Sequence, residues 1–196
     1  MVAPPHHRAI VSVDIEGSTG RTNPAKGHLR QVMYDLFEAA LEACGITEEF
    51  RDPMVDRGDG VLVLIRPVDQ APKTLLLTTL VPTLSSLLRE HNNQRPSDGL
   101  RMRAALHAGE VHYDRQGCFG EALDITFRLL DAPVVKSTLS HTEAPLVLVV
   151  SDDIYRSVIK HGYEGIDDRA FEQTVRVRVA GQQHRGWVHV PLAAAS

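Results

Sequence analysis

Alternating and β-branched apolar positions predict the strands of this chain. Residues 8–14 alternate and include β-branched side chains, which predicts the first strand. Two further runs, 50–55 and 61–65, flank a glycine-containing turn and predict a β-hairpin. The same patterning predicts the remaining strands over 100–111, 146–150, 175–179 and 186–190. The last two of these form a closing hairpin.

Apolar residues that recur every three or four positions predict the helices. The longest amphipathic helix carries this spacing from Leu29 to Leu41, with Gly45 where a C-terminal cap belongs. The pattern also predicts a helix over 77–88, a helix over 119–130 and a short helix capped by Ser151 that runs to 160. A kink is expected at Pro82. The polar run 136–144 is interpreted as a surface arm or loop.

The order of the predicted elements is β-α-β-β-α-β, followed by more helix and strand. This order predicts an α+β fold with a ferredoxin-like βαββαβ core and C-terminal α/β additions. A chain of 196 residues is long enough to bury one complete core. We therefore expect a single domain over 1–196, with its core at about 8–190.

Charge and cysteine content restrict the partners and the compartment. The formal net charge is −4 and the acidic residues are spread along the chain, which does not favour a nucleic-acid partner. The two cysteines, Cys44 and Cys118, indicate neither a disulfide framework nor a metal site. No segment has the roughly 20 apolar residues of a membrane span. These observations predict a cytoplasmic protein that binds no membrane.

Two carboxylates next to glycine are the strongest chemical signal. Asp14 ends the first strand, and Asp59 lies in the hairpin turn that would pair beside it. Magnesium binds hard oxygen ligands and commonly uses one or two carboxylates together with substrate phosphates. With the carbonyl oxygen of Ile15, the two side chains would hold two divalent cations, Mg²⁺ or Mn²⁺, against a triphosphate. Taken singly, each aspartate is better explained as an ordinary turn residue.

Two weaker signals accompany the carboxylates. Glu16, Gly17, Ser18 and Thr19 follow Asp14, and a glycine-containing loop lets backbone N–H groups approach phosphate oxygens. The alternative is a flexible loop before a helix. In the helix predicted over 119–130, Asp124 and Arg128 are four residues apart and share a face. This pair either serves phosphoryl chemistry or is an ordinary exposed ion pair.

Four blocks in this order resemble the catalytic domain of class III nucleotidyl cyclases, the adenylate and guanylate cyclase superfamily. Residues 14–19, Asp-Ile-Glu-Gly-Ser-Thr, resemble the first metal motif, and 57–61, Arg-Gly-Asp-Gly-Val, resemble the second. Residues 100–111 are similar to the central strand with its Ile-His-x-Gly turn. Residues 120–129 match the pattern Gly-x-x-Val-Asn-x-Ala-x-Arg-Leu. The resemblance covers about 8–190.

The resemblance implies that a nucleoside triphosphate is cyclised to a 3′,5′-cyclic nucleotide and pyrophosphate. It also implies a head-to-tail homodimer with composite sites at the interface. By carry-over, one subunit supplies Asp14, the Ile15 carbonyl and Asp59 for the metal ions, and its residues 16–19 cradle the phosphates. Arg128 of the other subunit would stabilise the transition state. Asp124 stands where the family usually has the asparagine that orients the ribose.

Departures from the family concern the base. Purine-specific members read the base with a polar or charged residue before the second metal aspartate, where this chain has Val55. The second base-reading region is Gly-Cys-Phe at 117–119. Because neither purine pair is present, the sequence favours a pyrimidine cyclase of the kind that bacteria use as an anti-phage alarm, with UTP preferred and CTP next. Arg57 is either a base or ribose contact or a solvent-exposed hairpin charge.

Two alternatives remain open at the level of sequence. The chain could be a catalytically inactive cyclase-like module that binds a nucleotide or a partner, or a purine cyclase with an atypical base pocket. The basic residue that the family places near its C-terminal hairpin to bind phosphate has no obvious equivalent. Strand alternation puts Arg176 and Arg178 on one face, and Arg178 is the candidate for this phosphate contact.

Overall fold

The computed structural model describes residues 4–191. In chain order the strands and α-helices are β1 (His6–Ile15), α1 (Asn23–Ala43), β2 (Val55–Asp56), β3 (Gly60–Ile65), α2 (Lys73–Leu75), α3 (Val81–Gln94), β4 (Met102–Tyr113), β5 (Cys118–Phe119), α4 (Glu121–Leu130), α5 (Pro133–Ser140), β6 (Leu146–Ser151), α6 (Asp152–Ser157), β7 (Glu172–Val179) and β8 (Gln182–His189). The expectation of one domain over 1–196 extends beyond the described residues at both ends and stays a prediction.

One sheet organises the molecule, in the order β2-β3-β1-β4-β6-β8-β7, with β5 paired to β4. β1 is antiparallel to both β3 and β4, and β2 is antiparallel to β3. The first four strands, with α1 and α3 as connections, therefore have the predicted ferredoxin-like βαββαβ topology. β4 then pairs in parallel with β6, and the β7–β8 hairpin extends the sheet through β8. The predicted α+β fold is confirmed.

Helices cover both faces of this sheet, which explains why its central strands are apolar at nearly every position. Successive residues of β1 point to opposite faces. On one face, Val11 and Val13 pack in the same core cluster as Met33 and Phe37 of α1. On the other face, Ile10 packs with residues of α4, which include Ala122 and Leu123. Asp14 is four residues after Ile10, so its side chain points to the same face of the sheet, the one that α4 covers.

The first strand of the predicted hairpin is shorter than expected. Residues 50–55 do not form a continuous strand, since β2 contains only Val55 and Asp56. Arg51 pairs with Ile65 as an isolated bridge, and Pro53 lies between the bridge and β2. Proline has no N–H to give to a ladder, so regular pairing stops there. The side chain of Asp52 instead accepts hydrogen bonds from Arg8 at 3.1 Å and from Tyr113 at 2.6 Å.

The helix predicted over 77–88 is longer, and Pro82 affects it in an unexpected way. Helical structure runs from Lys73 to Gln94, with a π-helical segment at Leu76–Leu80 just before the proline. Pro82 cannot donate to the carbonyl of Thr78, and its ring crowds that carbonyl. The π-helical turn avoids this clash and this missing hydrogen bond, and the helix continues beyond Pro82.

The C-terminal additions differ from prediction mainly at α5. Residues 136–144 were expected to be a polar arm, but Pro133–Ser140 is a helix whose Val135 and Leu139 are fully buried. Two apolar residues four apart suffice to anchor one helical turn against the sheet. The cap at Ser151 is confirmed, because its hydroxyl oxygen accepts the N–H of Ile154 at 3.3 Å. Within residues 4–191, no helix is both long and apolar enough to cross a bilayer.

Candidate active site

Asp14 and Asp59 meet at the end of β1 because the β2–β3 turn lies beside it. In the ladder, Asp14 is paired with Gly60, and the N–H of Ile15 donates to the carbonyl of Asp59 at 2.9 Å. Both carboxylates line one cavity of about 170 Å³ on the α4 face of the sheet, together with Arg57, Phe127 and Asp131 among others. The structure thus brings together the two side chains on which the metal hypothesis depends.

Gly60 is required for this close approach. A Cβ atom at this position would lie 2.4 Å from the carbonyl oxygen of Val13 and 3.2 Å from the Cβ of Asp14. A Cβ atom does not come as close as 2.4 Å to a carbonyl oxygen, so any other residue would push the turn away from β1. The second glycine of the turn therefore sets the separation between the strand that carries Asp14 and the turn that carries Asp59.

Arg103 is a member of the site that the sequence analysis did not identify. It lies directly opposite Asp14 on β4, and its guanidinium donates twice to that carboxylate, at 2.8 and 2.6 Å. The two side chains are 11% and 18% exposed. Burial raises the pKa of Asp14 to about 6, and the nearby charge of Asp59 also raises it, while Arg103 acts in the opposite direction. Only the strand register, which sequence patterning does not give, reveals this pair.

The loop after Asp14 is held by contacts at both ends. The N–H of Glu16 donates to the carbonyl of Arg101 at 2.9 Å, and its carboxylate lies 3.3 Å from the Arg101 guanidinium. Gly17 takes a left-handed conformation with φ of 66°, and the chain then turns through a short 3₁₀-helix. The hydroxyl of Ser18 donates to the carboxylate of Asp59. Ser18 and Thr19, rather than Glu16, face the cavity beside this loop.

That cavity, which we call the α1 cavity, lies between the loop and the first turns of α1. It measures about 370 Å³ and adjoins the carboxylate cavity, because Asp59 lines both. Three cations line it: Arg21, Lys26 and Arg30. None of them was identified from the sequence, although the spacing of Lys26 and Arg30 directly after the glycine loop was a usable signal.

Arg128, Asp124 and Arg178 converge on another cavity, of about 560 Å³, which we call the α4 cavity. Asp124 and Arg128 are exposed on one face of α4, and Arg178 reaches the same space from β7. Although four residues apart, Asp124 and Arg128 form no ion pair in the described chain. Asp124 and Arg128 therefore remain available for a ligand.

Arg57 and Phe127 lie between the carboxylate cavity and the α4 cavity. The guanidinium of Arg57 is 4.0 Å from the centre of the Phe127 ring, a cation–π contact that fixes an otherwise exposed side chain. Phe127 and Asp131 line both cavities. The contact places the exposed Arg57 side chain against α4.

The two positions at which the family resemblance led us to expect a base contact carry apolar side chains. Val55 on β2 is 36% exposed and Phe119 on β5 is 44% exposed. Phe119 stacks on the ring of His112 at 5.4 Å between centroids. Neither side chain can donate or accept a hydrogen bond to a base edge.

The oxygen atoms at this edge suit a hard cation that is bound jointly by the protein and a ligand. They are too few to coordinate such a cation without the ligand. Between residues 4 and 191, no three His, Cys, Asp or Glu side chains are grouped as a metal site. Asp14, Asp59 and the Ile15 carbonyl would supply three oxygens, and Mg²⁺ commonly takes the rest from substrate phosphates and water. The bidentate contact of Arg103 would have to yield at least part of the Asp14 carboxylate.

Comparisons with known proteins place this geometry in a known fold. No protein-family model and no curated protein sequence matches the chain. Among solved structures, the guanylyl cyclase Cya2 matches with a TM-score of 0.64 and 16% identity, over 98% of this chain and 96% of that one. An adenylate/guanylate cyclase/hydrolase from Silicibacter pomeroyi matches with a TM-score of 0.66 and 17% identity, over 97% and 100%.

The adenylyl cyclase CyaB from P. aeruginosa matches with a TM-score of 0.65 and 15% identity, over 96% of this chain and 95% of that one. These matches cover nearly the whole length of both chains in each comparison, so the C-terminal additions belong to the shared architecture as well as the core. The chain has the fold of the class III cyclase catalytic domain.

Proposed function

We propose that this protein is a metal-dependent nucleotidyl cyclase that converts a nucleoside triphosphate to a 3′,5′-cyclic nucleotide and pyrophosphate. The observation that carries the proposal is the juxtaposition of Asp14 and Asp59 in one cavity at the end of β1, in a chain with the cyclase fold. Two carboxylates at this edge match the ligand preference of Mg²⁺ or Mn²⁺ that bridge protein and phosphate.

In this reaction the 3′ oxygen of the ribose forms a bond to the α-phosphorus, the bond to the pyrophosphate oxygen breaks, and the hydroxyl proton is released. Asp14, Asp59 and the Ile15 carbonyl would hold two divalent cations, which when bound neutralise the triphosphate and polarise the attacking hydroxyl. Gly17, Ser18 and Thr19 would border the phosphates. Arg128 has the planar donors that stabilise negative charge on the transferring phosphoryl group.

The composite arrangement is inferred from the family resemblance, and two neighbouring cavities of one chain carry the residues that it would combine. The carboxylates line one cavity, whereas Arg128, Asp124 and Arg178 line the α4 cavity. A head-to-tail homodimer would place the carboxylates of one subunit opposite the α4 cavity of its partner. In that arrangement Asp124 would accept a hydrogen bond from a ribose hydroxyl, and Arg178 would contact phosphate from the β7–β8 hairpin.

We further propose a pyrimidine substrate, with UTP preferred and CTP next. The support is that Val55 and Phe119, which lie where purine-specific members of the family carry polar or charged side chains, offer no hydrogen bond to a purine. Arg57, fixed over Phe127, offers donors that a uracil carbonyl can accept. The cyclic product would be a second messenger, which we assign to anti-phage defence because such bacterial pyrimidine cyclases share the superfamily.

The test is incubation of the pure protein with each of the four ribonucleoside triphosphates and Mn²⁺, followed by mass spectrometry of the products. Cyclic UMP is expected as the main product, with cyclic CMP second. A purine product in excess would overturn the pyrimidine assignment alone, and the absence of any cyclic product would overturn the cyclase proposal.

The carboxylates themselves are tested by Asp59→Asn, which keeps the shape of the side chain and an acceptor for the Ser18 hydroxyl. Loss of the charge should lower the rate by about 1,000-fold or more, as expected when a metal ligand is removed. The matched control is Asp69→Asn, the same change at an exposed position of the β3–α2 loop. Equal rates in the two variants would contradict the metal role of Asp59.

A second candidate function is a nucleotide-binding module without turnover. The observation that favours it is the bidentate contact of Arg103, which occupies the Asp14 carboxylate. The residue at 124 is also a carboxylate, which repels phosphate, where the family pattern has asparagine. Calorimetry would then detect tight binding of a nucleoside triphosphate, and a pyrophosphate assay would detect no release.

A further inference from the structure

A group of polar side chains on the α4 face of the sheet has no part in the roles assigned above. We call it the Asp52 cluster, and it consists of Asp52, Arg8, Tyr113 and Arg66. Arg8 is six residues before Asp14 on β1, so its side chain points to the same face of the sheet but lies toward the other end of the strand. The cluster is therefore separate from the proposed metal-binding edge.

The carboxylate of Asp52 is the centre of this cluster. It accepts hydrogen bonds from the hydroxyl of Tyr113 at 2.6 Å, from Nε of Arg8 at 3.1 Å and from Nε of Arg66 at 3.4 Å. The side chains of Arg8 and Asp52 are only 13% and 15% exposed. Burial alone would raise the pKa of Asp52, but the hydrogen bonds from Tyr113 and Arg8 outweigh it and lower the pKa. The carboxylate is therefore charged, and its hydrogen bonds are of the stronger, charge-assisted kind.

The cluster joins two segments that have little strand pairing of their own. The N–H of Asp52 donates to the carbonyl of Leu64 at 2.8 Å, and from there the chain leads into β2, which has only two residues. Tyr113 ends β4 and is paired with Cys118 of β5, which also has only two residues. Strands this short are held weakly by their ladders. The hydrogen bond from Tyr113 to Asp52 therefore helps to fix the separation between β2 and β5.

Both segments lie near the carboxylate cavity. β2 leads into the turn that carries Arg57, which lines that cavity and lies against Phe127. Cys118 and Phe127 pack against the same core cluster on the α4 face. Burial raises the pKa of the Cys118 thiol, and the nearby charges of Arg57 and Asp52 act on it in opposite directions. β5 is thus close both to the Asp52 cluster and to the Arg57 turn.

We propose that Asp52 and Tyr113 are positioning residues for the base of the nucleotide, because they fix β2 and the Arg57 turn relative to β5. This inference rests on the proposed function and deepens it. The side chains of Val55 and Phe119 offer a base no hydrogen bond, so the fit of the base depends on the space between the two short strands that carry them. A purely structural role would affect stability and leave the contribution of the nucleoside to binding unchanged.

The experiment compares two ligands by calorimetric titration in the presence of Mg²⁺. One is α,β-methylene-UTP, whose α–β bridge cannot be cleaved, and the other is inorganic tripolyphosphate, which lacks the nucleoside. The ratio of their dissociation constants measures what the nucleoside adds to binding. Tyr113→Phe should reduce that ratio about tenfold, the usual effect of removing a hydrogen bond to a charged group, and leave the affinity for tripolyphosphate unchanged.

A second variant and a matched control accompany this measurement. Asp52→Asn keeps the shape of the side chain but removes its charge, and it should reduce the same ratio. Tyr155→Phe is the control, since Tyr155 is also a half-buried tyrosine but lies on α6. It should leave both affinities unchanged. Thermal melts of all the variants establish that each is folded.

The outcomes separate this inference from the cyclase proposal. A selective loss of affinity for the UTP analogue in Tyr113→Phe and Asp52→Asn supports the inference even if no nucleotide is cyclised. An unchanged ratio in these variants, or an equal loss of affinity for both ligands, overturns it even if cyclisation is observed. A wild-type protein that binds the analogue no more tightly than tripolyphosphate also overturns it.

Discussion

Asp14 and His107 are titratable side chains that the fold withdraws from water, and burial moves their pKa values in opposite directions. The pKa of Asp14 rises to about 6, as described above, and burial lowers the pKa of His107 to about 4. His107 is 3% exposed on β4, and its Nδ1 lies 2.8 Å from the hydroxyl of Ser151. Relative to the unfolded chain, folding therefore shifts each group toward its uncharged form, although Asp14, with a pKa of about 6, is still mostly ionised at pH 7.

The two shifts act on stability with opposite sign. Below pH 6.5 the unfolded state binds more protons at His107 than the folded state does, so this group makes the free energy of unfolding rise as pH increases from 4 to 6.5. Asp14 binds more protons in the folded state between pH 3.8 and 6, so in the metal-free protein it makes stability fall as pH increases. The wild-type profile is therefore flatter than either group alone would give.

Comparison with His107→Gln isolates the histidine. The free energy of unfolding of the wild-type protein, relative to that of the variant, should rise by roughly 3 kcal/mol between pH 4 and pH 7. A shift of one pKa unit corresponds to about 1.4 kcal/mol. Urea denaturation at several pH values measures the difference. Ser151→Ala is the control, because it removes the hydrogen-bond partner but keeps the buried imidazole and its pH dependence. A difference that is constant across this range would contradict the prediction.

At the scale of elements, the β2–β3 turn and β1 must approach closely for the two carboxylates to share a cavity. Gly60→Ala adds a methyl group 2.4 Å from the carbonyl oxygen of Val13. We expect a loss of about 1–3 kcal/mol in stability, typical of overpacking, and a larger proportional loss of catalysis because Asp59 is displaced. The control is Gly27→Ala at an exposed position of α1, where nothing lies within 4 Å of the added Cβ. It should stabilise the helix by about 1 kcal/mol.

Elements with a strong apolar period were predictable from sequence, and so was the proximity of Asp14 and Asp59. The long apolar stripe of α1, with Gly45 at φ of 70° after it, and the carboxylates at strand ends needed only local information. Positions that depend on contacts between distant segments were not predictable. The pairing of Asp14 with Arg103 depends on strand register, and the helix α5 depends on the burial of Val135 and Leu139 against the sheet.

At the scale of the whole molecule, the proposed homodimer would divide each active site between two chains. If the proposed homodimer is correct, Asp59→Asn and Arg128→Ala damage different halves of each composite site. Each variant alone should be inactive, and an equal mixture should recover about one quarter of the wild-type rate, because half of the dimers at random are mixed and each has one intact site. The measurement is cyclic product after mixing and equilibration. A mixture no more active than its components would contradict the composite arrangement.

The contact of Arg103 with Asp14 has a consequence for how the protein tolerates the loss of divalent ions. Because a guanidinium already balances the buried carboxylate, the fold does not need an external cation at this point. A chelator should then abolish turnover without lowering the melting temperature, unlike in small domains whose metal contributes to folding. In Arg103→Ala, by contrast, added Mg²⁺ should raise the melting temperature, because the ion would take over the neutralising role of the lost side chain.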